Sequence, residues 1–69
     1  MIGLDRGDDG LWTITLDRPD KANSLTPEML QELVRIARDA QQARAVILTG
    51  RGRVFSAGAD LDAARAGLA

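Results

Sequence analysis

The sequence has no cysteine, no histidine and no tyrosine, and its only aromatic residues are Trp12 and Phe55. A disulfide framework is therefore excluded, and so is a zinc site built from thiolate and imidazole ligands, so no metal is expected. The lack of cysteine fits a reducing compartment. Without a cross-link, the core of a 69-residue chain supplies about 3–5 kcal/mol at best. We therefore expect this chain to need a partner for stability.

Long apolar runs and a strong charge of one sign are also missing. The longest unbroken apolar run, residues 45–48, is far shorter than the roughly 20 residues of a membrane-spanning helix. Residues 1–10 lack the basic and apolar regions of a secretory signal. A formal net charge of −1 creates no field that would attract nucleic acid. These features predict a cytoplasmic protein with no membrane and no nucleic-acid partner.

The first part of the chain predicts a β-hairpin. Residues 1–6 are expected to form an edge strand and residues 11–17 a second strand, joined by the Asp-Asp-Gly turn at residues 8–10. In the second strand Trp12, Ile14 and Leu16 share one parity. Thr13, Thr15 and Asp17 lie on the other, and this alternation predicts a single buried face.

A helix and a third strand are predicted next. Residues 25–42 have helical periodicity, with Thr26 as N-cap and Pro27 at the first helical position. Its apolar stripe consists of Met29, Leu33, Ile36 and Ala40, widened by Leu30, Val34 and Ala37. Residues 43–50 read as a strand that is apolar at both parities, which is typical of a parallel sheet buried on both faces.

The predicted order is ββαβ, an α/β arrangement without repeats, linkers or low-complexity segments. One long helix can cover only one face of the sheet, whereas the third strand needs cover on both faces. The second layer must come from elsewhere. We therefore expect the chain to be part of one domain, completed by a further polypeptide segment.

The stretch GRGRVFSAGADL, residues 50–61, combines glycines with small side chains ahead of a helix start. Phe55 stands where a dinucleotide fingerprint needs glycine, and no Gly-Lys-Ser/Thr follows for a phosphate-binding P-loop. Asp60 is expected to cap a helix over residues 61–65, which places the amide of Ala59 at a helix N-terminus. A ligand carbonyl can approach such a bare main chain. The alternative is a tight turn at Gly58 whose flanking alanines only pack.

Basic residues near this stretch have two interpretations. Arg51 and Arg53 flank Gly52 and form either a solvated turn or a phosphate clamp. Lys21 lies in the loop after the second strand and by default is a surface lysine. Charge alone does not distinguish a solvated residue from one that binds phosphate.

Two motifs together resemble the N-terminal part of the crotonase superfamily, the enoyl-CoA hydratase/isomerase family. Residues 14–30, ITLDRPDKANSLTPEML, resemble its strand, Arg-Pro, Asn-x-Leu and helix pattern. Residues 43–61, ARAVILTGRGRVFSAGADL, resemble its Gly-x-Gly and Phe-Ser-x-Gly-x-Asp-Leu signature. The resemblance implies that residues 1–69 are the N-terminal part of one crotonase-like domain, with the spiral fold shared by ClpP and crotonase incomplete in this chain.

The resemblance also implies an acyl-CoA substrate whose thioester carbonyl lies in an oxyanion hole of two backbone amides. One of them is the N–H of Ala59. Coenzyme A is part of the substrate, so no separate cofactor is expected. A homotrimer or hexamer is implied as well. The positions that match the family's substrate-binding segments are Lys21, Ala22, Ser24, Ala57, Ala59, Asp60 and Leu61.

The rest of the family's machinery lies downstream of these motifs. The second oxyanion amide and the acidic residues that transfer protons are absent from this chain, so the chain alone is expected to be inactive. Its own acids, including Asp17, Asp20, Glu28 and Asp62, are predicted to be solvated or to cap helices. The alternative function is a non-catalytic acyl-CoA-binding or assembly module. Acidic residues facing the substrate Cα and Cβ in the completing segment would distinguish the enzyme.

The expectation of a completing segment can be tested by denaturing mass spectrometry of the purified protein. We expect the 7.4 kDa chain either beside a larger polypeptide or as part of one larger mass. A folded, monodisperse monomer of the 69-residue chain alone would contradict the expectation.

Overall fold

A computed structural model describes residues 1–68 of the chain, and its element order is the predicted ββαβ followed by a second helix. Two single turns of 3-10 helix lie at Pro19–Lys21 and Ala40–Gln42. The main elements are β1 (Ile2–Arg6), β2 (Leu11–Leu16), α1 (Pro27–Asp39), β3 (Ala45–Gly50) and α2 (Leu61–Leu68).

The hairpin forms as predicted, with β1 antiparallel to β2 and Ile2 opposite Leu16. Gly10 adopts a φ of +88°, which glycine reaches without strain. The Asp9 carboxylate accepts a hydrogen bond from the N–H of Leu11 at 3.0 Å. Turn chemistry therefore sets the register of the two strands.

The third strand pairs with β2 in parallel, from Leu11 opposite Ala45 to Leu16 opposite Gly50. The sheet order is β1-β2-β3, with β2 in the centre. The parallel pairing predicted from the apolar run in β3 is confirmed. It places the carboxyl ends of β2 and β3 at the same edge of the sheet.

Helix α1 begins as the sequence predicts. The hydroxyl of Thr26 accepts a hydrogen bond from the N–H of Met29 at 3.1 Å, and Pro27 occupies the first turn. The α-helix ends at Asp39, before the predicted boundary, because the chain tightens into a 3-10 turn. That turn lets the N–H of Arg44 reach the carbonyl of Gly10 at 2.8 Å and begin β3. Neither α-helix within residues 1–68 has the length and apolar character required to cross a membrane.

The core lies between α1 and the β1–β2 half of the sheet. Its buried side chains are Trp12, Ile14, Leu16, Met29 and Ile36. An ion pair of 3.5 Å between Arg6 of β1 and Asp39 holds the end of α1 on this side. The Arg6 guanidinium also lies over the Trp12 ring, 4.4 Å from its centre. The single buried face predicted for β2 is confirmed.

Helix α1 leaves β3 uncovered, which corrects the expectation that it would cover one face of this strand. Val46 and Leu48 share the face of Trp12 and Ile14, because the register pairs them, yet both are exposed. Ile47, on the opposite face, is 46% exposed. The helix sits toward β1, so both faces of β3 remain open.

The expectation that three further residues widen the buried stripe of α1 is wrong within this chain, because Leu30, Val34 and Ala37 are all exposed. Phe55, one of the two aromatic residues, is exposed as well, whereas Trp12 is buried. Exposed apolar groups thus lie on α1, on both faces of β3 and in the following loop, and the described residues do not cover them.

Two isoleucines of the sheet test whether β3 becomes buried in the assembled domain, meaning this chain with its completing segment. We expect Ile47→Ala to cost about 2–5 kcal/mol of unfolding free energy there, as for a buried isoleucine. Ile14→Ala is the matched control, because Ile14 is 6% exposed in this chain already. Denaturant unfolding measures both. A cost for Ile47→Ala within about 0.5 kcal/mol of zero, as at a surface site, would contradict burial.

Candidate functional site

Two loops meet at the carboxyl edge of the parallel pair, where open α/β sheets commonly bind ligands. We call residues 17–26, after β2, the β2 loop, and residues 51–60, after β3, the β3 loop. The N–H of Arg51 bonds to the carbonyl of Leu16 at 2.8 Å, which starts the β3 loop beside the β2 loop. Both sequence motifs thus come together at one place.

The side chain of Asn23 joins the two loops and is completely buried, with 0% exposure. Its Oδ1 accepts from the N–H of Arg18 at 2.8 Å within the β2 loop. Its Nδ2 donates to the carbonyls of Arg51 and Val54 in the β3 loop, both at 2.8 Å. The backbone φ of +54° is one that asparagine tolerates better than most residues. A Cβ at Gly50 would clash with the main-chain carbonyl of Phe55 and would lie 2.8 Å from Nδ2, so the close approach of the β3 loop and Asn23 requires glycine there.

A largely buried ion pair makes the second connection between the loops. Nη1 of Arg18 lies 2.8 Å from Oδ2 of Asp60 and also donates to the carbonyl and the hydroxyl of Ser24, each at 3.0 Å. The other oxygen of Asp60 accepts from the N–H of Ala63 at 3.0 Å. Asp60 is therefore the N-cap of α2, as predicted. These two partners, first the Ala63 amide and then Arg18, lower the pKa of Asp60.

The backbone around Ala59 pairs with the β2 loop as an isolated parallel bridge to Leu25. The N–H of Leu25 donates to the carbonyl of Gly58 at 2.7 Å, and its carbonyl accepts from the N–H of Asp60 at 2.8 Å. The peptide between Gly58 and Ala59 is trans, so the N–H of Ala59 points away from Leu25.

The amide of Ala59 differs from its neighbours in having no acceptor among the described residues. The N–H of Ala57 donates to the carbonyl of Ala22 at 3.0 Å, and that of Gly58 to the hydroxyl of Ser56 at 3.1 Å. The N–H of Asp60 is held by Leu25. Along residues 57–60, the Ala59 N–H is thus the one main-chain donor that no acceptor within residues 1–68 engages.

Space is open beside this amide. Gly58 has a φ of +91°, a conformation that favours glycine, and a Cβ built there would have no atom within 4 Å. Gly58 therefore forms the tight turn proposed as the alternative interpretation and at the same time keeps the amide accessible. The described residues form no pocket by themselves.

The structure brings most of the predicted site residues together. Ala22 contacts Ala57 through the main-chain hydrogen bond given above, and Ser24 contacts Asp60 through Arg18. Both the N–H and the carboxylate of Asp60 are already engaged within the chain. Ala57, Ala59 and Leu61 are exposed along the β3 loop and the start of α2, and Lys21 is exposed in the β2 loop.

Other polar groups have simpler roles. Arg51 pairs with Asp17 at 3.1 Å, and both side chains are exposed, so the solvated-turn interpretation describes Arg51. No group of three or more acidic residues that could hold a metal ion is present within residues 1–68.

Sequence reasoning missed Asn23, Arg18 and Ser56 as organisers of the site. The first two belong to the Arg-Pro and Asn-x-Leu pattern, and Ser56 to the Phe-Ser pattern. Their presence in those patterns was the only sequence signal that pointed to a role in the site. Their partners lie up to 42 residues away in sequence, so local spacing did not indicate them.

Comparison with known proteins identifies the family. A sequence profile described as enoyl-CoA hydratase/isomerase matches residues 6–68. The chain belongs to this family. It is 48% identical over 62 residues to a Rhodobacter capsulatus protein named "Probable enoyl-CoA hydratase", covering 87% of this chain and 24% of that protein. It is 44% identical over 63 residues to "Probable enoyl-CoA hydratase echA6" of Mycobacterium tuberculosis, covering 88% and 26%.

Solved structures of the same family share the fold. An enoyl-CoA hydratase from Mycobacterium smegmatis superposes with a TM-score of 0.83 at 37% identity, covering 90% of this chain and 29% of that one. One from Thermoplasma volcanium gives 0.77 at 35% identity, covering 93% and 26%. The predicted crotonase-like fold is confirmed. The chain spans about a quarter of the length of its curated relatives.

The lowered pKa of Asp60 predicts how stability depends on pH. A carboxylate whose pKa is lowered by folding stabilises the fold above its ordinary value of 3.8, and this contribution is lost as the pH falls through the folded-state pKa. Asp60→Asn in the assembled domain keeps a capping side chain but removes the charge. We expect it to unfold at a lower temperature at neutral pH, with the gap closing below pH 3.8.

Thermal unfolding followed by circular dichroism across this pH range measures the effect. Asp62→Asn is the matched control, because Asp62 lies in the same turn of α2 with its side chain exposed. A gap between wild type and Asp60→Asn that stays constant with pH would contradict the assigned role of the Asp60 charge.

Proposed function

We propose that this chain supplies the first part of the acyl-CoA site of an enoyl-CoA hydratase or isomerase. The observation that carries the proposal is the N–H of Ala59, which lacks an acceptor within residues 1–68 and lies beside open space at Gly58. Membership of the enoyl-CoA hydratase/isomerase family supports an acyl-CoA thioester as the class of ligand. The relatives named as enoyl-CoA hydratases support the same class.

In this role the Ala59 N–H donates to the carbonyl oxygen of the thioester. When water adds to the double bond, or when a proton leaves the carbon chain, negative charge moves onto this oxygen. A donor that is already oriented stabilises this charge without reorganising at the moment of reaction. The N-terminal end of α2 follows directly, and the positive end of the helix dipole favours the same charge.

The other substrate-binding residues line the same edge of the sheet. Lys21 is exposed and carries the positive charge that suits the phosphates of coenzyme A. Short side chains lie beside the proposed path of the coenzyme A part of the substrate, at Ala22, Ser24 and Ala57. Leu61, which is 66% exposed, offers an apolar surface. Coenzyme A enters as part of the substrate, so the proposed reaction uses no separate cofactor.

The remaining groups come from the completing segment. It contributes the second oxyanion amide and the acidic residues that transfer protons, and it covers the exposed faces of β3. The chain alone is therefore proposed to be inactive. The cytoplasmic location and the trimeric or hexameric assembly stay predictions.

Proline at position 59 tests the proposed donor, because proline has no N–H. The assembled domain is prepared with its natural continuation or with the remainder of the Rhodobacter capsulatus relative. We expect Ala59→Pro to lower kcat for enoyl-CoA hydration about 10²–10³-fold, which corresponds to about 2.7–4 kcal/mol of transition-state stabilisation. Loss of absorbance of the conjugated thioester measures the rate.

The variant Ala59→Ser changes the side chain but retains the N–H, and it is expected to stay far more active than Ala59→Pro. Circular dichroism and thermal unfolding show whether both variants are folded. A folded Ala59→Pro protein with the turnover of the wild type would overturn the proposal.

A further inference from the structure

The hydroxyl of Ser56 lies between the two loops without being part of the proposed ligand contacts. It donates to the carbonyl of Asn23 at 2.9 Å and accepts from the N–H of Gly58 at 3.1 Å. The side chain is half-buried. A serine hydroxyl offers one donor and two acceptor sites, so both contacts can exist together. Ser56 therefore connects the buried Asn23 to the residue that precedes Ala59.

Gly58 depends on hydrogen bonds for its orientation. Glycine has more conformational freedom than any other residue, and no atom lies within 4 Å of the position where its Cβ would be. Packing therefore does not hold it. Its carbonyl is held by the N–H of Leu25 at 2.7 Å, and its own N–H is held by Ser56.

These two bonds fix the direction of the Ala59 N–H. The carbonyl of Gly58 and the N–H of Ala59 belong to one planar peptide, so a rotation of this plane moves both. Leu25 holds one side of the plane. Ser56 holds the N–H of Gly58, which precedes this plane in the chain, and so limits rotation about the backbone of Gly58. Without the hydroxyl, one of these two restraints is lost.

We propose that Ser56 is a positioning residue for the thioester carbonyl, acting through Gly58 on the N–H of Ala59. This inference rests on the proposed function, because the amide must serve a ligand for its direction to matter. It predicts an effect on the chemical step that is separate from an effect on stability. Misplaced catalytic groups lower rates even when binding is retained.

The decisive comparison measures two CoA ligands with the wild-type assembled domain and with its Ser56→Ala variant. One ligand is an enoyl-CoA thioester, and the other is a CoA thioether in which a methylene group replaces the carbonyl. We expect Ser56→Ala to lower kcat for the thioester about 10-fold, less than the loss of a whole donor. The Kd of the thioether should not change, because it has no oxygen for the amide.

Vibrational spectroscopy of the bound thioester gives a second readout. A hydrogen bond from Ala59 lowers the carbonyl stretching frequency, and Ser56→Ala should reverse part of this shift. The variant Ser56→Thr is the matched control, because it keeps the hydroxyl. We expect it to restore kcat and the carbonyl frequency toward wild type.

The possible results separate the positioning role from the proposed function. If Ser56→Ala weakens the thioether as much as it slows the thioester, Ser56 is only structural and the inference is overturned. The inference also fails if Ser56→Ala matches wild type while Ala59→Pro is impaired, although the proposed function then stands. If the wild-type protein neither turns over the thioester nor shifts its carbonyl frequency, the proposed function and the inference fail together.

Discussion

The buried side-chain amide of Asn23 makes three hydrogen bonds, one to the loop that contains it and two to the carbonyls of the β3 loop. An unpaired buried amide or carbonyl costs about 1–3 kcal/mol, so each of these bonds is difficult to give up. The β3 loop contains Gly52 and Gly58 and carries little side-chain packing of its own. Its course is therefore set by the hydrogen bonds of Asn23, and Gly50 is glycine because the main-chain carbonyl of Phe55 and the side-chain amide of Asn23 both approach it closely.

The free amide at Ala59 follows from this arrangement. Once Asn23 and the Arg18–Asp60 ion pair hold the loops together, the main chain of residues 58–60 pairs with Leu25 through the groups that face it. In a parallel bridge the central residue turns its own N–H to the opposite side. A donor is thus presented to the outside without a strained residue at that position, and the identity of the side chain at position 59 matters little.

The elements of the fold were predictable because their signals are local. The turn at residues 8–10, the N-cap at Thr26 and the strand at the apolar run of β3 depend on signals that act over a few residues, and these predictions are confirmed. The burial of β3 on both faces is not seen within residues 1–68. The positions of Ala59 and Asp60 at the start of α2 were predictable for the same reason. The roles of Asn23 and Ser56 were not, because their partners lie 28 to 33 residues away. The exposure of β3 also depends on where α1 packs, which periodicity does not specify.

Parallel pairing of β2 with β3 also determines when the site can form during folding. Parallel strands require a crossover connection, which here contains α1, and the two loops meet only after that connection has closed. Contacts between distant residues form slowly, because chain entropy is lost before the new bonds compensate for it. We therefore expect the amide of Ala59 to reach its final direction late in folding. Until β3 pairs with β2, the hairpin and α1 can be formed while the two loops are still apart.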